Sequence, residues 1–273
     1  MGRLPVLSLS GKVEREVTVA GNAAEPGRTV LSRALAILDS FSERRPEQTL
    51  GMIVRDTGLA PATVHRLLAE LVEWGALERH GRGRYRIGLR LWQLGALAPR
   101  GRRLRDVALP YLEDLYEATH QVVHLVVRDE DQALYVEKLS ARPQVGVVSQ
   151  VGGRLPLHST GPGKVLLAHA PPEVRERLLS GPLARVTPAT ITDAGRLRTV
   201  LADIRGTGYC LSRDEMTMGA SSVAAPVFSR PGEIAAAISV VVPSRTGNLA
   251  PLVPAVRAAA LGISRALRDE LFR

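Results

Sequence analysis

The chain of 273 residues has little cysteine, little lysine and no long apolar run. Its single cysteine, Cys210, excludes an internal disulfide and any zinc site built from cysteines alone. No apolar run approaches the roughly 20 residues of a membrane span. The best early candidate, Leu4 to Leu9, is too short for a secretory core and has one arginine before it. No internal repeat is present. These absences point to a cytoplasmic protein. Catalytic signatures are scarce too. There is no Gly-x-Ser-x-Gly elbow. The stretch from Gly153 to Lys164 ends Gly161-Pro162-Gly163-Lys164, yet it fails the phosphate-loop pattern twice. His158, not glycine, occupies the first required glycine position, and Val165 follows the lysine where a hydroxyl would hold magnesium. His158 and Ser159 are sequence neighbours and do not suggest a catalytic pair. His120 and His124 stand four apart, but a helix-to-strand change falls between them. The expectation is no enzyme, no catalytic residue, no cofactor and no metal.

Apolar residues make up 45% of the chain and charged residues 23%, which suits a folded core. The net charge is +9, and it is unevenly spread. Residues 28–105 hold 15 basic and 7 acidic groups, whereas residues 106–273 hold 18 and 17. Only Lys12, Lys138 and Lys164 are lysines, so nearly all the positive charge is arginine. A basic segment joined to a near-neutral one suggests a polyanion binder with a separate module. The chain divides accordingly. Residues 1–27 read as a flexible arm, 28–90 as a compact helical unit ending in a hairpin, 91–103 as a linker helix, and 104–273 as a second domain. Pro99 and Gly101 are expected to break the connector.

In the basic segment, Thr29 or Ser32 can cap a first helix with Ala34, Leu35, Ile37, Leu38 and Phe41 as its apolar set. The charged stretch from Ser42 to Pro46 ends it. Thr49 opens a short second helix that stops at Thr57-Gly58. Pro61 then starts a third. Val64, Leu67, Leu68 and Leu71 follow the i, i+3, i+4, i+7 rule and form one buried stripe. Ala62, Arg66, Ala69 and Glu70 fall opposite, flanked by Thr63 and His65. Small residues allow close approach to a groove floor, and Arg66 can reach guanine or a phosphate. Two helices joined by a Gly-containing turn, the second exposing such a face, describe a helix-turn-helix. Residues 76–79 and 84–87 then read as strands of a wing with Arg82 at its tip.

In the second domain, Leu104 to Thr119 suits an amphipathic helix, with Val107, Leu112, Leu115 and Tyr116 inward. Strands are expected at 122–127, 133–136, 144–151, 208–212, 221–228 and 234–242. Helices fit at 161–169, 172–179, 193–206 and 249–271. The pattern is α+β, an antiparallel sheet covered by helices. Cys210 reads as a small buried strand residue.

Three stretches resemble the winged helix-turn-helix of the IclR family of bacterial transcription regulators. They are Ser32-Arg33-Ala34-Leu35-Ala36-Ile37-Leu38, then Thr57 through Leu68, then Tyr85-Arg86-Ile87-Gly88. The resemblance runs on through Gly153–Lys164 and Asp214–Val227, covering roughly residues 28–270. It implies an N-terminal winged helix-turn-helix and a C-terminal GAF-like effector-binding domain. The DNA contacts it suggests, with the helix reading above, are Arg33, Ala62, Thr63, His65, Arg66, Arg82 and Arg84. For the effector pocket it points to Gly161, Pro162, Ser212, Ser222, Ser239 and Val241. In many members a cysteine matches Ser222 and an acid matches Ser212, so this pocket carries hydroxyls instead. The resemblance further implies double-stranded DNA with a palindromic operator, a small organic-acid effector, no membrane partner, and a homodimer or dimer of dimers. Two competing readings remain at this stage. One is a ligand-independent regulator whose second domain only oligomerises. The other is an enzyme with an appended helix-turn-helix.

Overall fold

The computed structural model describes residues 29–42, 45–97, 99–140 and 146–269. The proposed arm at 1–27 lies outside them. Contacts divide the chain into two compact units, one up to Gln93 and one from Leu94.

The first unit opens with α1 (Val30–Asp39), capped by Thr29, whose hydroxyl accepts from Ser32 N–H. A three-residue strand, β1 (Glu47–Thr49), precedes α2 (Leu50–Thr57). Thr49 caps α2 by accepting from Met52 N–H. Gly58 ends α2 at φ 70°, a left-handed turn that glycine adopts without strain. α3 (Pro61–Trp74) starts with proline at its first position, where no helical N–H is lost. Strands β2 (Leu77–His80) and β3 (Arg84–Ile87) form the wing, and β1 joins its far edge in the order β1-β3-β2. Ile37, Ile53, Leu59, Val64, Leu67, Leu68, Leu77 and Tyr85 make the core. Each such large side chain contributes roughly 1.5–3 kcal/mol by leaving water. The charged stretch read only as a helix end thus leads into a strand. Gln48 is fully buried there, and its amide reaches the carbonyl and hydroxyl of Ser40.

α4 (Leu89–Gly95) follows the wing, and α5 (Pro99–Thr119) follows α4. The connector therefore differs from expectation. Pro99 begins a helix instead of breaking one, because a first-turn proline gives up no hydrogen bond. Gly101 lies within α5.

The second unit has one antiparallel six-stranded sheet in the order β6-β5-β4-β9-β8-β7. Its strands are β4 (Val122–Asp129), β5 (Gln132–Leu139), β6 (Arg154–Pro156), β7 (Cys210–Arg213), β8 (Ala220–Arg230) and β9 (Glu233–Pro243). Its other helices are α6 (Gly161–Ala168), α7 (Pro172–Ser180), α8 (Ala194–Thr207) and α9 (Val253–Asp269). Period-two alternation splits β4, β5, β8 and β9 between two cores. Leu125, Val223, Ala225, Ile238 and Val240 face α5 and α9. Val126, Tyr135, Cys210, Ala224 and Ala237 face α6 and α8. Residues 250–269 are long and apolar enough to cross a membrane by composition. Val256, Ala260, Ile263 and Leu267 instead pack into the sheet core.

Two further expectations shift. No ladder forms at 146–150, although Val147 and Val148 read as strand residues. The edge of β5 is taken by β6, and Ser149 is held by side chains instead: Lys138 Nζ donates to its carbonyl at 2.8 Å. The last helix starts at Val253, not at residue 249, after two short 3-10 turns.

Candidate nucleic-acid interface and ligand cavity

On α3 the buried stripe is Val64, Leu67 and Leu68, which leaves the reverse side to solvent. Ala62, His65 and Arg66 are exposed and Thr63 is half-buried. Arg66 leans on Glu70 one turn later, at 3.3 Å with both side chains more than half exposed. Such a pair is worth only about 0.3–0.5 kcal/mol, so a phosphate or base edge can displace it. On the wing, Arg82 is exposed and has no ion-pair partner among the described residues. Arg84 pairs with Glu47 Oε2 across the small sheet at 3.4 Å, and His80 meets the same carboxylate at 3.0 Å. Arg33 departs from the expected set. It is only 9% exposed, and its Nε is enclosed without a partner among the described residues. α1 turns it inward, so it is not presented as the other six are.

In the second unit, ladder register builds a cavity. Ser212 on β7 lies opposite Ser222 on β8, which lies opposite Val241 on β9. Two residues along, Ser239 lies between Ala224 and His124 of β4. These side chains share the face that α6 covers. α6 begins at Gly161 under a Thr160 cap, whose hydroxyl accepts from Gly163 N–H at 3.1 Å. A Cβ on Gly161 would sit 2.5 Å from Ser222 Oγ and 3.6 Å from Ser212 Cβ. Only glycine lets the helix start come so close to the strands. Gly161, Pro162, Ser212, Ser222, Ser239 and Val241 all line one cleft with a volume of about 50 Å³.

The same wall contains residues that the sequence reading missed: His124, Tyr135, Ser149, Thr160, Glu215 and Met216. His124 Nε2 meets Ser149 Oγ at 2.8 Å, and Nδ1 meets Ser239 Oγ at 3.4 Å. Its ring stands edge-on to Tyr135, with centroids 5.0 Å apart. Burial, reinforced by repulsion from Lys138, drives its pKa down to about 3, so the imidazole is neutral at pH 7. Burial pushes the Tyr135 hydroxyl upward, and it also raises the Cys210 thiol to about 11. Behind the wall, Lys164 is 1% exposed on a helix whose eight residues are all buried. Its ammonium pairs with Glu215 Oε1, which also accepts from Ser212 Oγ at 2.9 Å. One signal in the sequence marked His124: a histidine inside the apolar run Val122–Val127. Among the described residues no cluster of three metal-ligating side chains occurs.

Residues 30–81 match the IclR helix-turn-helix domain, and residues 98–265 match the C-terminal domain of bacterial IclR transcriptional regulators. The chain belongs to the IclR family. It is 34% identical to the HTH-type transcriptional regulator XynR of Escherichia coli over 242 residues, covering 87% of this chain and 96% of XynR. An IclR homolog from Microbacterium hydrocarbonoxydans, crystallised with 4-hydroxybenzoate, is 38% identical with a TM-score of 0.83. That similarity covers 88% of this chain and all of the homolog. A regulator structure from Rhodococcus sp. RHA1 is 30% identical with a TM-score of 0.77, covering 88% of this chain and 98% of its own. This IclR-type protein is a DNA-binding transcriptional regulator with an effector-binding C-terminal domain. Its relatives are named as regulators, not enzymes.

Proposed function

We propose that residues 28–90 bind a palindromic operator in duplex DNA, and that residues 104–273 bind a small organic acid and oligomerise. The N-terminal face of α3 enters the major groove with Ala62, Thr63, His65 and Arg66. Arg82 and Arg84 of the wing meet the backbone or minor groove. Arg33 takes part only if its side chain leaves its buried site. The carrying observation is the exposed small-and-basic face of α3 over a closed core, within a helix-turn-helix of this family. α4 exposes Leu89, Trp92 and Leu94, and Leu97 follows it, also exposed. Such an apolar face favours pairing with a second copy, so the working unit is a homodimer or a pair of dimers. The chain acts in the cytoplasm, where its DNA is.

The effector site is the cleft around Gly161, Pro162, Ser212, Ser222, Ser239 and Val241. The Microbacterium homolog's 4-hydroxybenzoate, an aromatic acid, supports this class of ligand. The ligand changes operator affinity only by its difference in affinity for the DNA-competent and DNA-incompetent states, and the coupling is reciprocal. Footprinting on the gene's own upstream DNA at two salt concentrations, followed by a panel of organic acids, tests the reading. A protected palindrome whose affinity shifts with one acid is the expected result. Protection with no shift under any acid would favour a ligand-independent regulator. Ser222→Trp fills the cleft and should abolish the shift while DNA binding persists.

A further inference from the structure

Among the described residues, no side chain of α4 is buried. Apolar packing therefore does not fix the direction of this helix, and the contacts of its first residues must. Arg90 Cζ lies 4.3 Å from the centre of the ring of Trp74, the last residue of α3. Its Nη1 also donates to the Trp74 carbonyl at 3.0 Å. One guanidinium thus stacks on the ring and satisfies a carbonyl left open by the helix end. Beside it, Glu78 of β2 accepts from Leu89 N–H at 3.2 Å through Oε1. Its Oε2 is held by Arg86 Nη2 of β3 at 2.8 Å. Between these two fasteners the backbones touch. Gly88 N–H donates to the Ala76 carbonyl at 2.8 Å, and a Cβ on Gly88 would meet the Gly75 carbonyl oxygen at 2.2 Å. Only glycine allows that approach. The fasteners sit about two helical turns beyond Arg66, away from the face proposed for the groove.

We infer that Trp74, Glu78 and Arg90 are positioning residues that set the spacing at which two operator half-sites are read. Two paired α4 helices fix the distance between their α3 helices only if each α4 is rigid against its own α3. The Arg90–Trp74 stack and the Glu78 bond supply that rigidity, because α4 has no buried face to supply it. One base pair added between half-sites moves them about 3.4 Å apart and rotates one by about 35° against the other. A clamped dimer then loses contacts at one half-site, whereas a loosened dimer follows the DNA. Loss of the clamp relaxes spacing selectivity and leaves the affinity for a single half-site unchanged. This inference rests on the pairing of α4 proposed above.

The test uses the full chain and the palindrome it selects from a random duplex library. That duplex is resynthesised with one base pair inserted at its centre and, separately, as a single half-site. In gel-shift titration the wild type should bind the selected duplex about ten-fold or more tightly than the lengthened one. In Arg90→Ala and in Trp74→Leu that ratio should fall to about three-fold or less. Trp74→Phe keeps an aromatic face and should restore it. Half-site affinity should stay within about two-fold of wild type in all three variants. The ratio compares two duplexes on one protein, so the charge removed at Arg90 largely cancels. A full ratio in both Arg90→Ala and Trp74→Leu would overturn the inference. So would a relaxed ratio with an equal loss of half-site affinity, which marks a general distortion of α3. Trp92→Glu keeps the two readings apart, because it strikes the exposed face of α4 and spares the clamp. If the ratio is lost in Trp92→Glu and kept in Arg90→Ala, the pairing stands and the clamp falls. If the ratio survives Trp92→Glu, or is near one in the wild type, the pairing of α4 falls, and the inference with it.

Discussion

Arg66 and Lys164 are both cations on helices, yet their surroundings are opposite. Arg66 has a side chain 60% exposed and a loose partner one turn away. Lys164 is 1% exposed and tied to one carboxylate inside a fully buried helix. The first unit carries its charge outward, where it acts over several ångströms and is screened by salt. The second cancels its charge internally and faces its cleft with hydroxyls, a neutral imidazole and one half-satisfied carboxylate. A diffuse polyanion is met by the former device and a small shaped molecule by the latter. The contrast fits the two ligands proposed for this regulator.

The strongest way to break the comparison is at Lys164. Lys164→Met leaves Glu215 buried without its cation and should cost ~3–5 kcal/mol in urea unfolding. The double variant with Glu215→Met should recover most of that loss. A single variant as stable as wild type would mean that the buried pair is not desolvated as described. Next comes acidity. His124 has a folded-state pKa of about 3, below the ordinary value of 6.5. The unfolded chain therefore binds the extra proton first, so the stability it contributes is full above pH 6.5 and is lost as pH falls toward 3. The slope should approach ~1.4 kcal/mol per pH unit below 6.5. Denaturation between pH 7 and 5 should show it, and His124→Asn should flatten it. A wild-type curve already flat over that range would place a charged imidazole in the wall.

The exposed arginines should give smaller effects, and in binding instead of folding. Arg66→Ala should weaken operator binding by ~1–3 kcal/mol, with relaxed specificity if the guanidinium reads a base. Unchanged affinity in a gel-shift titration would remove it from the interface. Arg82→Ala should lower the salt slope of binding by about one unit, with little dependence on sequence. Arg84→Ala should do less, because Arg84 already shares Glu47 with His80. Equal slopes in wild type and both variants would take the wing off the DNA.

The helix-turn-helix was legible because its information is local. The capping threonines 29 and 49, the Gly58 turn, Pro61 and the Val64–Leu68 stripe each act within a turn or two of helix. The three-residue β1 was missed, since its only mark is a buried glutamine whose partner, Ser40, sits eight residues back. Arg33 was misjudged for a related reason: periodicity does not say how a long side chain turns at the edge of a helix stripe. In the second unit the strands expected at 122–127, 133–136, 221–228 and 234–242 were legible, and they pair as neighbours in the sheet. The six cleft residues came from family resemblance, not from spacing.

Sequence alone determined the helix starts and stops, the alternation that gives each strand two faces, and the concentration of positive charge in residues 28–105. Tertiary structure alone decided that Ser212, Ser222 and Val241 stand side by side, that His124 meets Ser149 and Ser239, and that Lys164 neutralises Glu215. The physical reason is range. Caps, turns and periodicity are set by neighbours within about four residues. Ladder register and buried ion pairs join residues dozens apart, through contacts that exist only after the sheet has closed.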